Sequence, residues 1–289
     1  MKDWIRSGRI AAEAREYGKT LIKVNASLLE VTEKIENKII SLGGSFAFPP
    51  QLSRNEIAAH YNALCNDTLI FQEGDVVKLD LGVHVNGAIG DTACTIDLGE
   101  NKQLIKASEE ALKNAIKEIK NKVKVYELGK VIQETIQKYG FSPIRNLSGH
   151  GLDIYTIHDT PSIPNYDNKD NSEVRNCFIA IEPFATNGIG LVADGKPSEI
   201  YTIVRVKPIR NADARKILKF IIEEYHGLPF AKRWLLKEFD RFKVSIALSS
   251  LEKEGILMQY NQLVEKEKGF VSQCEHSVYV GDEIKILTE

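Results

Sequence analysis

KLDLGVHVNGAIGDTACT, residues 78–95, reads as the two arms of a β-hairpin with an aspartate inside each arm. Asn86-Gly87 is the turn, because a two-residue loop that matches strand twist needs backbone that Asn and Gly adopt readily. Pairing about that turn sets Asp80 opposite Ala93 and makes Asp91 its diagonal neighbour. The strand period of two then puts Asp80, Asp91 and Ala93 on one face. Two carboxylates so close repel unless one is protonated or a cation lies between them. Either this face is solvated, or something positive waits for it.

Other residues outside the hairpin bear on the choice. IAIEPF places Glu182 at the end of an apolar strand, before a proline that cannot donate to a ladder. SQCEHSVYV places Glu275 inside another apolar run. NLSGHGLDIYTIHDTP holds His150 in a Gly-His-Gly turn, open to close approach, with His158 eight positions on. A lone glutamate at a strand end is usually solvated, and a lone loop histidine is usually a plain polar residue. One acid in each of several core-like strands is harder to explain without a shared cation. Oxygen donors with a single histidine favour divalent manganese, iron or cobalt over a structural zinc.

The rest of the chain supplies the frame. Its 289 residues are 43% hydrophobic and 27% charged, enough for a substantial core. A net charge of −2 gives no nucleic-acid or membrane signal. No apolar run approaches a membrane span, and the opening MKDWIRSGRI has no signal-peptide core, so a cytoplasmic protein is expected. The four cysteines form no CxxC pair and read as small core residues in a reducing compartment. Helical spacing covers 3–23 and 27–42, and again about 103–121 and 126–139. Strands follow each helix pair, one set carrying Asp80 and the other Glu182. This repeated order predicts two related α/β halves. Residues 194–258 break it with three helical segments, read as an insertion between 1–193 and 259–289.

The order Asp80, Asp91, His150, Glu182, Glu275, in the contexts AAHYN, LDLGVHVNGAIGDTA, NLSGHG, YTIHD and AIEPFAT, resembles the pita-bread metallopeptidases, and methionine aminopeptidases within them. The resemblance covers nearly the whole chain. It implies an α+β fold, with pseudo-two-fold halves around a curved antiparallel sheet and an inserted helical subdomain. Only 79 residues precede Asp80, whereas prolidases and aminopeptidase P carry a large domain there; the 92 residues between Glu182 and Glu275 hold the insertion of the type II enzymes. Without a long charged extension, the chain is similar to the short archaeal form. Ser148 stands where many type II enzymes have asparagine, which touches fine substrate contacts only.

By this resemblance two divalent ions (cobalt, manganese, iron or zinc) activate a shared hydroxide. Asp80 chelates one, His150 and Glu182 the other, and Asp91 and Glu275 bridge both. Glu182 is the general base, His158 stabilises the oxyanion and His60 contacts the scissile amide. Phe48, Ile157, Phe184, Tyr260 and His276 form or border the methionine pocket. The implied activity is removal of the initiator methionine from peptides and nascent chains with a small second residue, whether met at the ribosome or after release. A monomer without DNA or membrane partners is expected. The alternatives are an X-Pro-cleaving relative and a non-catalytic binding protein on the same scaffold, which would lack metal ligands.

Overall fold

The computed structural model describes all 289 residues. Its central sheet is antiparallel throughout. In spatial order it runs Ser45–Arg54, Val76–Val85, Ala88–Asp97, Glu275–Val280, Cys177–Ile181, Ser148–Asp153 and Thr156–Pro164. The first three strands come from the first half of the chain and the last three from the second. Glu275–Val280 joins them, so residues far apart in sequence meet at the sheet centre.

Strand alternation decides what each face carries. Val77, Leu79, Leu81, Val83 and Val85 face helices α1 (Lys2–Leu21) and α2 (Leu28–Ser41), in one core with Ile10, Ile35 and Ile39. Helices α3 (Lys102–Glu118) and α4 (Val125–Lys138) cover the second half, packing Leu112, Leu128 and Ile132 with Ile179, Ile181, Val278 and Val280. All ten residues of Val76–Val85 are buried, so this strand has no solvated face. Asp80 on it and Asp91 on the next strand are both buried, which excludes a pair of solvated surface aspartates. The hairpin turn is as its sequence predicts, with φ of 51° at Asn86 and 84° at Gly87.

Between the strands Val192–Ile203 and Leu257–Glu265, which pair with each other, lie α5 (Ala212–Tyr225), α6 (Lys232–Glu238) and α7 (Arg241–Lys253). Side chains of Asn211 and Asp240 cap α5 and α7, accepting from the free N–H groups of the first turns. These helices share a core of their own around Ile217, Phe230, Trp234 and Leu248. Within 194–258 the three helical segments are as the sequence predicts, and 194–203, to which the sequence assigns no element, is strand. Gly195 and Pro197 hide it, and the pairing shifts register on either side of Pro197, where no N–H is available to the ladder. No helix is long and apolar enough to cross a membrane.

Candidate metal centre

Opposite the helix-covered face of the sheet lies a cavity of about 430 Å³. Register builds its floor. Ala93 is the partner of Asp80 on one side and of Glu275 on the other, so the two acids flank it in one row. Asp91 stands two residues along the middle strand, on the same face. Across the sheet, His150 is the partner of Ala180, two residues before Glu182. Asp80, Asp91, His150, Glu182 and Glu275 all line the cavity, as do His60, His158, Phe48, Ile157, Phe184 and Tyr260.

His276 does not. The resemblance puts it at the pocket border, but it follows Glu275 on a strand, so its ring points to the opposite face. There Nδ1 lies 2.9 Å from the Thr288 hydroxyl and 3.5 Å from Arg15 Nη1. This expectation is corrected by the period of two.

Distances within the site are short. His150 Nε2 lies 3.7 Å from Asp91 Oδ2 and 3.7 Å from Glu182 Oε1. Donor atoms of Asp91, His150 and Glu275 all fall within 4.8 Å of one another. His150 Nδ1 is 3.2 Å from the Gly151 carbonyl, which can only accept, so Nδ1 carries the hydrogen and Nε2 offers its lone pair to the acids. The Gln273 amide donates to Asp80 Oδ2 and to Glu182 Oε2, both at 3.3 Å. It thus joins an acid from the first half of the chain to one from the second.

The electrostatics are those of a cation site without a protein cation. No lysine or arginine lines the cavity. Burial pushes the Asp80 carboxyl up to about 7, against the pull of the Gln273 hydrogen bond. Burial first, and then the neighbouring acids, hold Asp91, Glu182 and Glu275 well above the usual carboxylate range. Burial lowers His150 to about 3, helped by His158, and His158 to about 4, helped by His60. Neutral imidazoles cannot compensate the acids. Asp80 Oδ1 and Asp91 Oδ1 are buried with no hydrogen-bond partner, an expensive condition for carboxylate oxygens. Four carboxylates, one imidazole with a free Nε2 and these orphaned oxygens fit hard divalent cations.

Two functional side chains escape a sequence reading. Gln273 could have been found, since it lies two residues before Glu275 on the cavity face. Gln51 could not. It is a neutral amide, with no charge or spacing to mark it, yet it lines the cavity.

Residues 4–219 match the family model of metallopeptidase family M24. The chain is 47% identical over 289 residues to a methionine aminopeptidase of Methanocaldococcus jannaschii, covering 99% of this chain and 97% of that one. It is 46% identical over 279 residues to that of Archaeoglobus fulgidus, covering 96% and 94%. Among solved structures, the methionine aminopeptidase of Thermotoga maritima superposes with a TM-score of 0.72 at 22% identity, covering 100% of this chain and 96% of that one.

Proposed function

Since this chain belongs to metallopeptidase family M24 and has its pita-bread fold, we infer that it is a metal-dependent methionine aminopeptidase. It hydrolyses the bond after an N-terminal methionine. The observation that carries this reading is the convergence of three buried carboxylates, a part-buried fourth (Glu182) and one neutral histidine on a cavity without a protein cation.

Asp80, Asp91, His150, Glu182 and Glu275 would hold two divalent ions, of cobalt, manganese, iron or zinc. Bound cations supply Lewis-acid polarisation of the scissile carbonyl and lower the pKa of water. The remaining work falls to the chain's own side chains. Glu182 takes a proton and passes it to the leaving amine; a carboxyl whose pKa is raised by burial and by its acidic neighbours is suited to both steps. His158, packed edge-on against His150 at 4.7 Å between ring centroids, is neutral and donates to the developing oxyanion. His60 contacts the scissile amide. Phe48, Ile157, Phe184 and Tyr260 surround the methionine thioether, which favours apolar walls with aromatic edges.

Ile200 and Pro229 extend the wall from segment 194–258. We assign that segment to an inserted subdomain and the rest of the chain to the catalytic unit. The second residue of the substrate lies close to the scissile bond, so only a small side chain leaves that bond in place. The partners are peptides and nascent chains, met at the ribosome or after release, by a monomer in the cytoplasm.

Peptide hydrolysis followed by mass spectrometry tests the reading. The metal-loaded protein should release methionine from Met-Ala-Ser at least about 10²-fold faster than from Met-Lys-Asp, the scale of a misplaced scissile bond. Comparable rates for the two, or faster cleavage of an Ala-Pro peptide, would contradict it.

A further inference from the structure

His60 has a φ of 67°, in the left-handed region that a residue with a Cβ seldom occupies. Two hydrogen bonds hold it there. Its backbone N–H donates to Gln51 Oε1 at 2.6 Å. Its ring Nδ1 lies 3.0 Å from the carbonyl oxygen of Asn261. A carbonyl only accepts, so Nδ1 carries the hydrogen and Nε2 keeps its lone pair. The ring also meets Tyr260 edge-on, at 5.2 Å between centroids.

Gln51 connects this arrangement to the metal centre. It is 7% exposed, it lines the cavity, and its Cα is the strand partner of Asp80. One side chain therefore ties the strand beside a metal ligand to the backbone of His60. A backbone bridge between Gln51 and Asn62 closes the same loop beside it. Strained backbone persists at a functional site only where its surroundings over-determine it, and Gln51 supplies the contact at the strained residue itself.

We propose that Gln51 is a positioning residue for His60, holding its backbone so that Nε2 is presented as a hydrogen-bond acceptor to an N–H group of the bound peptide. The proposal rests on the aminopeptidase reading for its substrate, but not for the geometry it tests. Without the Gln51 carbonyl, the His60 N–H loses its acceptor, the left-handed backbone relaxes, and the ring leaves the Asn261 carbonyl.

The test uses the full chain, loaded with diamagnetic zinc and labelled with ¹⁵N at its six histidines. In the wild type the His60 ring nitrogens should show a single Nδ1–H tautomer. Gln51→Met keeps the length but removes the acceptor. It should give averaged Nδ1 and Nε2 shifts and a kcat/KM for Met-Ala-Ser lower by about 10-fold to 10²-fold, with zinc content unchanged. Gln51→Glu keeps an acceptor oxygen and should retain the wild-type tautomer. An Nε2–H tautomer in the wild type, or a Gln51→Met protein with unaltered shifts and kcat/KM, would overturn the proposal. Should Gln51→Met fail to fold, the wild-type tautomer and Gln51→Glu still decide it. Failure of the wild type to cleave methionyl peptides would sink the functional reading instead, and the ring shifts would still report on Gln51.

Discussion

Arg233→Met removes one half of a buried ion pair that joins α6 to α2. Glu36 on α2 accepts from Arg233 Nη1 at 2.9 Å, from Arg233 Nη2 at 2.5 Å and from Trp234 Nε1 at 2.7 Å. Both charged side chains are 4% exposed. Arg233 Nε also donates to the Ala63 carbonyl at 3.3 Å, so the guanidinium is well satisfied. Breaking such a pair strands a buried carboxylate, with Trp234 and the more distant Lys237 left to face it, and costs about 3–5 kcal/mol. At about 2–3 °C per kcal/mol for a chain of this size, the melting midpoint should fall by roughly 6–15 °C. Replacing both partners, Glu36→Leu with Arg233→Met, leaves no orphaned charge. It should cost less than Arg233→Met alone, with the loss of the Trp234 bond accounting for roughly 1–3 kcal/mol. Pro229 lies on the cavity wall three residues before α6, so the single variant should also raise KM for Met-Ala-Ser more than it lowers kcat. Thermal and urea melts of the wild type, both singles and the double variant give the coupling energy. A single variant within about 1 kcal/mol of wild type, or a double variant as unstable as the sum of the singles, would refute the reasoning.

Three further outcomes are expected. Burial, with His226 as a lesser cause, holds His84 at about 4, below its ordinary 6.5. A depressed folded value means stability that is present above pH 6.5 and lost as pH falls towards 4, worth roughly 3 kcal/mol at 1.36 kcal/mol per pH unit; His84→Phe should therefore show a shallower acid loss in melts over that window, and equal slopes would count against it. Gln273→Met removes the amide shared by Asp80 and Glu182, and isothermal titration should show metal affinity weakened by about 10-fold to 10²-fold; unchanged affinity would leave Gln273 a bystander. His158→Ala should keep its metal and lose about 10²–10³ in kcat, as for an oxyanion donor, whereas lost metal would make the residue a ligand.

How far the sequence could be read depended on the kind of signal each residue carried. The Asp80–Asp91 hairpin was legible because Asn-Gly fixes the turn and the turn fixes register. The complete burial of its first arm was not, since the cover on one face comes from α1 and α2, which only the tertiary fold brings there. Acids in apolar strands announced the centre through the cost of burying charge. Gln51 bears no charge and stands at no telling spacing, so only tertiary distance shows what it holds, whereas Gln273 is marked by its place two residues before Glu275. His276 illustrates the opposite case. Once Glu275 faces the cavity, alternation along the strand sends its neighbour away, and that local rule outweighs a resemblance. The strand at 192–203 stayed hidden because Gly195 and Pro197 interrupt its pattern, while its pairing partner lies more than fifty residues downstream.

The central claim is that buried acids hold the cations on which methionine release depends. The most direct test follows ions per chain and methionine release from Met-Ala-Ser on the same samples, as divalent metal is returned to chelated wild-type and Asp91→Asn protein. Asp91 has an oxygen within 4.8 Å of donor atoms of His150 and Glu275, and its Oδ1 has no hydrogen-bond partner within the chain. Activity should be absent from the chelated wild type, rise in step with occupancy, and stay low with poor occupancy in Asp91→Asn. Turnover by the metal-free wild type, or a fully metallated and active Asp91→Asn protein, would contradict the account.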